Sequence, residues 1–340
     1  MNHASLSLPL SVLDLCPVAS DGSPTRSIHE SVVLAQRAEE LGYGRFWIAE
    51  HHNMPSIASS ATSILIGHVA GHTSSIRLGS GGIMLPNHAP LTIAEQFGTL
   101  ATLYPDRIDL GLGRAPGSDQ NTMRALRRDP MSADSFPQDI VELQGYLSGQ
   151  SIIPGVQAVP GAGTNVPLYI LGSSLFGAQL AAALGLPYAF ASHFAPDALA
   201  DAIAIYRRDF RPSAQLSEPH LIVAANAIAA EDSADAAQQF AIVRRARVRM
   251  MIQRGVDSPD YTDEQIDDFL TTPQGRQLAT MMKYTAVGNP GEVRDFLTEF
   301  AESTGADELI IAHASSGLDD RLRSVELTAV AMGITAAVAA

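Results

Sequence analysis

The chain has 340 residues, 46% of them hydrophobic, so it is too apolar to be disordered and long enough for two average domains or one large α/β barrel. Its 22 basic and 36 acidic side chains give a formal net charge of −14, which disfavours nucleic acid or an anionic membrane surface as a partner. The single cysteine, Cys16, cannot form an internal disulfide, and there is no Cys-x-x-Cys pair. The sequence has no signal-peptide pattern and no apolar run of about 18 residues. We therefore expect a cytoplasmic protein without a membrane segment.

Short apolar runs alternate with stretches of helical period, which predicts βα units and a parallel sheet. A first strand is predicted at 8–15 and a helix at 27–42, which ends at Gly42 and has Leu34, Ala38 and Leu41 on one face. Further strands are predicted at 45–50, 76–85, 107–113, 167–172, 187–192, 220–228 and 307–313. Helices are predicted from about residue 59 and after Pro90. Eight strands in this alternation predict a closed (β/α)8 TIM barrel.

The last long helix has the clearest predicted start in the chain. Asn289-Pro290-Gly291-Glu292 supplies an N-cap, a proline at the first helical position and a glutamate at the third. Between the seventh and eighth strands lies a stretch at about 250–285 that contains Pro259, Pro273 and several acids. It is too long for an ordinary connection, so we predict an irregular lid over the active site. No linker divides the chain, which predicts one domain over residues 1–340.

Reactive groups of (β/α)8 barrels lie where strands end. Gly172-Ser173-Ser174 ends the fifth strand and opens a helix, whose first N–H groups and positive dipole end favour a phosphate. A serine that only caps the helix is the alternative. Arg114 follows Gly111-Leu112-Gly113 after the fourth strand and could clamp the same phosphate, or form a salt bridge at the barrel rim.

Histidines follow the second strand at Glu50-His51-His52. Neighbours on an extended strand point to opposite faces, so His51 and His52 are not expected to share a metal ion. His68 and His72 are four residues apart but lack the glutamate of a zincin motif, and no metal site is predicted. His51 is either a general acid or base, or a buried and hydrogen-bonded structural histidine, and the spacing does not decide between these alternatives.

Several motifs together resemble the bacterial luciferase family of flavin-dependent monooxygenases, and in particular its YhbW-type subgroup. The resemblance runs from about residue 8 to 330 and weakens over 250–285. The motifs are Ala49-Glu50-His51-His52-Asn53-Met54, Ser80-Gly81-Gly82-Ile83-Met84-Leu85-Pro86-Asn87-His88, Gly113-Arg114-Ala115-Pro116-Gly117-Ser118-Asp119 and Phe190-Ala191-Ser192-His193-Phe194. Four long motifs in one order are specific to the family, although each alone is a weak signal.

The resemblance implies that FMN binds at the C-terminal mouth of a luciferase-like barrel. It assigns the phosphate to Arg114 and to the turn Gly172-Ser173-Ser174, and the catalytic role to His51. It also implies a cis peptide bond between Gly81 and Gly82 beneath the flavin ring. His193 is expected to contact flavin or substrate, or alternatively to stack on Phe194.

The implied reaction uses reduced FMN and O2 to oxygenate a small organic substrate. No Gly-x-Gly-x-x-Gly stands at an early strand-to-helix turn, so NAD(P)H is expected to serve a separate flavin reductase. A homodimer is also implied, with the helix at 59–73 at its interface. The alternatives are hydride transfer with the deazaflavin F420, a metal-dependent hydrolase on the same fold, and a flavin-binding protein without activity.

Overall fold

The computed structural model describes residues 8–18, 21–115, 119–253 and 259–334. The strands of this part of the chain are β1 (Leu10–Asp14), β2 (Arg45–Ile48), β3 (Arg77–Met84), β4 (Ile108–Gly113), β5 (Leu168–Gly172), β6 (Tyr188–Phe190), β7 (Leu221–Ala229), β8 (Thr285–Gly288) and β9 (Glu308–His313). Its α-helices are α1 (Pro24–Leu41), α2 (Thr62–Ala70), α3 (Pro90–Leu103), α4 (Gln120–Ala125), α5 (Phe136–Ser148), α6 (Leu175–Leu184), α7 (Leu199–Asp209), α8 (Ser233–Ile252), α9 (Asp263–Thr271), α10 (Pro273–Ala279), α11 (Pro290–Thr304) and α12 (Leu318–Met332). Within these ranges, no helix is both long and apolar enough to cross a membrane.

Eight of the strands form a closed parallel ring. Strands β1 to β7 pair in sequence order, and β9 pairs with both β7 and β1 to complete the ring. Each strand of the ring corresponds to one of the eight predicted apolar runs. The (β/α)8 barrel predicted from the alternation of strands and helices is confirmed.

The strand side chains alternate between the helices and the barrel interior, as the period of two requires. On β2, Phe46 and Ile48 pack outward into the main core beneath the helices, whereas Trp47, and Ala49 directly after the strand, belong to the cluster inside the barrel. The interior cluster consists of Leu13, Trp47, Ala49, Tyr169, Ala189, Ile222, Ala224, Ile310 and Ala312. Four of its members are alanines, whose small side chains fill less of the barrel interior than Trp47 and Tyr169 do.

The helix ends follow the local sequence signals. The side chain of Asn289 accepts hydrogen bonds from Gly291 N and Glu292 N, and Glu292 accepts one from Asn289 N at 2.9 Å. This reciprocal capping box confirms the predicted start of α11. Helix α1 ends at Gly42 with φ +88°, as predicted. It begins at Pro24, earlier than residue 27, because Ser23 caps it and Pro24 fits the first helical position.

The stretch predicted to be irregular, 250–285, is mostly helical where the structure describes it, so that prediction is wrong. Thr262 and Gln265 form a capping box at the start of α9, and Thr272 caps α10. Pro273 occupies the first turn of α10, where its missing N–H costs nothing. Residues 254–258 of the stretch lie outside the described residues, and its function as a lid stays a prediction.

A ninth strand, β8, lies beside the ring and is not among the predicted strands. Strand β6 has three residues and pairs only with the first part of β7, Leu221–Val223. Beyond Val223, β7 pairs with β8 over Asn226–Ala229. The insertion that carries α9 and α10 therefore returns to the barrel along the edge of β7 that β6 leaves free.

One guanidinium links several strands inside the barrel. Arg45 on β2 donates from Nη1 to Asp109 Oδ2 on β4 at 2.7 Å and to the Tyr169 hydroxyl on β5 at 2.8 Å. Its Nε donates to Glu308 on β9 at 3.0 Å. Asp109 and Glu308 are almost completely buried. Further donors to these two carboxylates come from the side chains of Ser11, Trp47 and Arg77.

The charges of this cluster stabilise one another. Burial acts to raise the pKa of Glu308, but the approach of His220 at 3.5 Å and the charge of Arg45 outweigh it and lower this pKa. Burial acts to lower the pKa of Arg45, but Glu308 and Asp109 raise it above its usual range. Arg45 and Glu308 therefore both stay charged at neutral pH.

We predict that Arg45→Met lowers the free energy of unfolding by about 3–5 kcal/mol, because two buried carboxylates lose the cation that they share. Urea unfolding monitored by circular dichroism measures this. The control is Arg208→Met, since Arg208 is exposed and pairs with its exposed neighbour Asp209, and its unfolding midpoint should stay close to wild type. Equal midpoints for the two variants would contradict this view of the cluster.

Candidate functional site

The C-terminal ends of the barrel strands surround a cavity of about 640 Å³, within the usual range for small-molecule sites. Its floor is the interior cluster, through residues such as Trp47, Ala189 and Ile310. All the site residues predicted from the sequence line this one cavity: His51, Gly81, Gly82, Arg114, Gly172, Ser173, Ser174 and His193. The structure thus brings together groups from five segments of the chain.

The cavity wall at Gly81 and Gly82 of β3 has no room for side chains. A Cβ on Gly82 would lie 2.8 Å from the carbonyl oxygen of Gly111, and one on Gly81 would lie 2.5 Å from Leu13 Cδ1. The Gly81–Gly82 peptide bond is cis, which confirms the expectation from the resemblance. This wall consequently presents bare backbone to the cavity, and a flat ligand can approach it closely.

Arg114 lies beside the start of α6. Its Cζ is 4.3 Å from the centroid of the Phe176 ring, a cation–π contact that holds the guanidinium at the cavity wall. No carboxylate among the described residues pairs with Arg114, so the predicted alternative of a rim salt bridge is not found there. Residues 116–118 of the adjoining motif lie outside the described residues.

The turn before α6 leaves donors free. Ser174 occupies the N-cap position, but its side chain makes no capping hydrogen bond. The first N–H groups of α6, which no residue of the helix itself can satisfy, are then open to an anion. The site therefore combines a cation with a helix N-terminus at the mouth of the barrel.

A buried carboxylate fixes the end of β2. One oxygen of Glu50 is 2.8 Å from both His52 Nε2 and His88 Nε2, and the other accepts from Met84 N at 3.1 Å. Burial acts to raise the pKa of Glu50, but the hydrogen bonds from His52 and His88 lower it to about 2. We did not identify His88 as part of the site. It is distant in sequence from Glu50, and only the motif Leu85-Pro86-Asn87-His88 pointed to it.

Glu50, His52 and His88 also have ligand-type atoms within 4.8 Å of one another. The histidine pairs that the sequence suggested, His51 with His52 and His68 with His72, do not include this set, and no metal site is predicted. Separations of 2.8 Å between nitrogen and oxygen are those of hydrogen bonds. The three side chains thus satisfy one another directly.

His51 follows β2 and faces the cavity. Burial lowers its pKa, as do the charges of His52 and Arg247, while Glu50 opposes them. The imidazole is therefore neutral at pH 7. Its Nδ1 is buried and has no hydrogen-bond partner in the described ranges, unlike a structural histidine with both nitrogens satisfied. This atom is available to a ligand.

His193 follows β6 and is also buried against the cavity. Burial, Arg247 and His51 lower its pKa to about 3, and its Nδ1 likewise lacks a partner in the described part of the chain. Its ring contacts Phe194 edge to face at 4.8 Å. The two alternatives from the sequence are therefore compatible, since His193 both packs on Phe194 and lines the cavity.

Arg247 is a lining residue that the sequence analysis missed. It lies on α8, within Arg244-Arg245-Ala246-Arg247-Val248-Arg249. Such a basic run usually forms an exposed helix face. No motif spacing connects it with the strand ends, and only the packing of α8 across the barrel mouth reveals it.

We predict that replacing Glu50 destabilises the protein in a pH-dependent way. The pKa of Glu50 falls from 4.5 to about 2 on folding, so its stabilisation is present above about pH 4.5 and is lost as the pH falls towards 2. The pKa of His52 rises above 6.5, so its contribution is present below 6.5 and is lost as the pH rises through the folded-state pKa. Glu50→Gln should therefore cost most at about pH 5.5 and less at about pH 9.

Urea unfolding at both pH values tests this. Glu299→Gln, at an exposed position of α11, is the control and should show no such difference. A Glu50→Gln cost that is independent of pH would mean that the two histidines are held by shape and not by charge.

Comparison with known sequences identifies relatives of the whole chain. A model of the luciferase-like monooxygenase family matches residues 9–308. A luciferase-like monooxygenase of Escherichia coli strain K12 is 47% identical over 322 residues, which cover 94% of this chain and 96% of the relative. The N-acetyl-S-alkylcysteine monooxygenase of Bacillus subtilis strain 168 is 30% identical over 310 residues, covering 89% and 91%.

Solved structures share the architecture. The crystal structure of apo-MsnO8 superposes with a TM-score of 0.86 at 38% identity and covers 96% of this chain and 99% of that one. The oxygenating constituent of 3,6-diketocamphane monooxygenase from Pseudomonas putida, in complex with FMN, gives 0.71 at 16% identity, with 96% and 98% covered. An F420-dependent secondary alcohol dehydrogenase gives 0.71 at 14%, with 96% and 99% covered. These last two show a common fold only.

The family match includes the strand ends that carry His51, Arg114 and His193. The E. coli relative extends the match over nearly the whole chain and agrees with the subgroup that the motifs resembled. This chain belongs to the luciferase-like monooxygenase family.

Proposed function

We propose that this oxidoreductase is an FMN-dependent monooxygenase that uses reduced flavin and O2 to oxygenate a small organic substrate. The observation that carries the proposal is one cavity lined by an anion site, by two neutral histidines and by the bare backbone of Gly81 and Gly82. The relatives support a monooxygenase, and one of them is named for a small thioether substrate. The FMN complex of a protein with the same fold supports the choice of cofactor.

The residues of the cavity fit FMN. Arg114 and the start of α6, with Gly172, Ser173 and Ser174, suit the phosphate, because together they offer a cation without a carboxylate and open N–H groups. Gly81 and Gly82 suit the isoalloxazine ring, because any Cβ there would meet its neighbours. His51 and His193 remain beside the cavity with unsatisfied nitrogens.

When bound, reduced FMN supplies the two electrons with which O2 is cleaved, so that one oxygen atom enters the substrate and the other leaves as water. The chain's own residues position the reactants and handle protons. His51 is neutral at pH 7 and has a free Nδ1, so it can accept a proton there and return it as a general base and acid. The Glu50 cluster keeps the end of β2 in place, and the apolar floor around Trp47 excludes water.

Other parts of the proposal concern access and assembly. The helices α9 and α10 are the proposed lid over the cavity, and a separate flavin reductase is the proposed source of reduced FMN. The proposed homodimer uses α2 and α3, which expose Ile64 at 71% and Leu103 at 63%. Large apolar side chains exposed to this degree are typical of interaction surfaces when they cluster.

The direct test is to supply purified protein with FMN, a flavin reductase and NADH, and to screen small thioethers and ketones while O2 uptake and oxygenated product are measured. Product in proportion to O2 supports the proposal. Bound cofactor with the absorbance of a deazaflavin, together with alcohol oxidation without O2, would replace it with F420-dependent hydride transfer. Flavin binding without turnover of any compound would favour a binding protein.

We predict that Arg114→Ala weakens FMN binding by about 2 kcal/mol, more than tenfold in Kd, because the phosphate loses a charge-assisted hydrogen-bonding partner. Titration monitored by flavin fluorescence, or by quenching of the single tryptophan Trp47 in the cavity floor, measures it. Arg124→Ala, at an exposed position of α4, should leave the Kd unchanged. An unaltered Kd for Arg114→Ala would refute the phosphate assignment.

We predict that His51→Ala keeps FMN affinity within about twofold but lowers coupled oxygenation by about 10²–10⁴-fold, since the proposed role lies in proton transfer. Hydrogen peroxide should account for the O2 that is still consumed. His68→Ala on α2 is the control. If His51→Ala does not fold, His51→Gln keeps the size of the side chain, and full coupling in that variant would show that the role is structural.

A further inference from the structure

Arg247 has a basic side chain in the cavity that the FMN proposal does not use. It lies on α8 and lines the cavity, and burial lowers its pKa. No carboxylate in the described parts of the chain forms an ion pair or hydrogen bond with it. A partly desolvated guanidinium without a counter-charge is costly in free energy, and a folded protein usually provides it with a partner.

Its neighbours on α8 do have such partners. Arg245 pairs with Asp267 at 2.5 Å, and Arg249 pairs with Asp263 at 2.5 Å, so both attach α8 to α9. Residues two positions apart lie on nearly opposite sides of an α-helix. Arg247 therefore projects away from α9, toward the barrel mouth. The two flanking arginines have structural roles that Arg247 does not share.

The groups beside Arg247 can also receive a ligand. Its side chain lines the same cavity as the rings of His51 and His193, and its charge contributes to lowering the pKa of both. Both rings have a buried Nδ1 without a partner in the described ranges. The acidic residue in the described lining of the cavity is Glu50, whose oxygens are engaged by His52, His88 and Met84 N.

The cavity is consequently electropositive at its histidine end, although the chain carries a net charge of −14. This feature is local, since the net charge repels anions at longer range. Arg114 lies at Phe176, beside the start of α6, and the FMN proposal assigns it to the phosphate. The second cation, Arg247, therefore suits a second anionic group of a bound ligand.

We propose that Arg247, with His193 beside it, binds a carboxylate of the organic substrate and so holds the oxygenated part of that substrate near His51. A guanidinium can hold a carboxylate through two parallel hydrogen bonds, and a neutral imidazole can add one more donor. The predicted substrate class is therefore small organic acids. This inference rests on the proposed function, because it assumes that the flavin phosphate occupies the Arg114 site.

Benzoate and benzamide are suitable probes, because they match in shape and differ in charge. In protein saturated with FMN, benzoate should perturb the flavin absorbance spectrum with a saturable midpoint, and benzamide should bind about tenfold more weakly or worse. Arg247→Gln should weaken benzoate about tenfold or more and leave benzamide unchanged, whereas Arg247→Lys should retain part of the affinity. Arg249→Gln, on the opposite face of α8, is the matched control and should leave benzoate binding intact.

Several results would overturn the proposal: equal binding of the two probes, no saturable benzoate binding, or an Arg247→Gln variant that binds benzoate like wild type. Weaker binding of FMN, oxidised or reduced, in Arg247→Gln with benzoate unaffected would assign Arg247 to the flavin instead. The FMN titration before each experiment separately tests the proposed function. If FMN does not bind, quenching of Trp47 by benzoate in flavin-free Arg114→Gln protein still tests Arg247.

Discussion

The interior of this barrel depends on the ion cluster around Arg45. Its guanidinium joins β2 to β4, β5 and β9, which are half of the ring when β2 is counted. A closed sheet encloses a space that side chains must fill, and charges are tolerated there only when each is paired. Because side chains alternate along a strand, a slip of one residue in any of these strands would turn its charged or polar group toward the helices. The cluster thus favours one register of the ring over its alternatives.

The two ends of the barrel differ in whether their charged side chains are paired. At the end away from the cavity, Asp109 and Glu308 share Arg45, and each of these charges has a counter-charge within hydrogen-bond distance. Towards the mouth the strands contribute small residues such as Gly81, Ala189 and Ala224, and a cavity remains. There Arg114 and Arg247 have no acidic partner among the described residues. The charges around Arg45 are therefore paired within the protein, whereas the two arginines at the mouth can bind the anionic groups of a ligand.

Much of this arrangement could be predicted from the sequence. Apolar runs separated by helical periods gave the eight ring strands, and Gly111-Leu112-Gly113-Arg114 and Gly172-Ser173-Ser174 stood at strand ends, where chemistry in barrels is found. Arg247 could not be predicted in this way, because a helix residue far along the chain reaches the site only through packing. The helices of the insertion were not predicted, since a stretch with Pro259, Pro273 and several acids was interpreted as irregular, although Pro273 begins a helix.

The attachment of β8 to β7 has an evolutionary consequence. The insertion that carries α9 and α10 rejoins the barrel through a ladder of backbone hydrogen bonds over Asn226–Ala229. Backbone groups are the same in every residue except proline, so this anchor places few demands on side-chain identity. Sequence changes in the insertion can therefore accumulate without loosening its attachment. A sequence-tolerant anchor lets the segment that carries α9 and α10 vary while the strands that line the cavity keep their pairing.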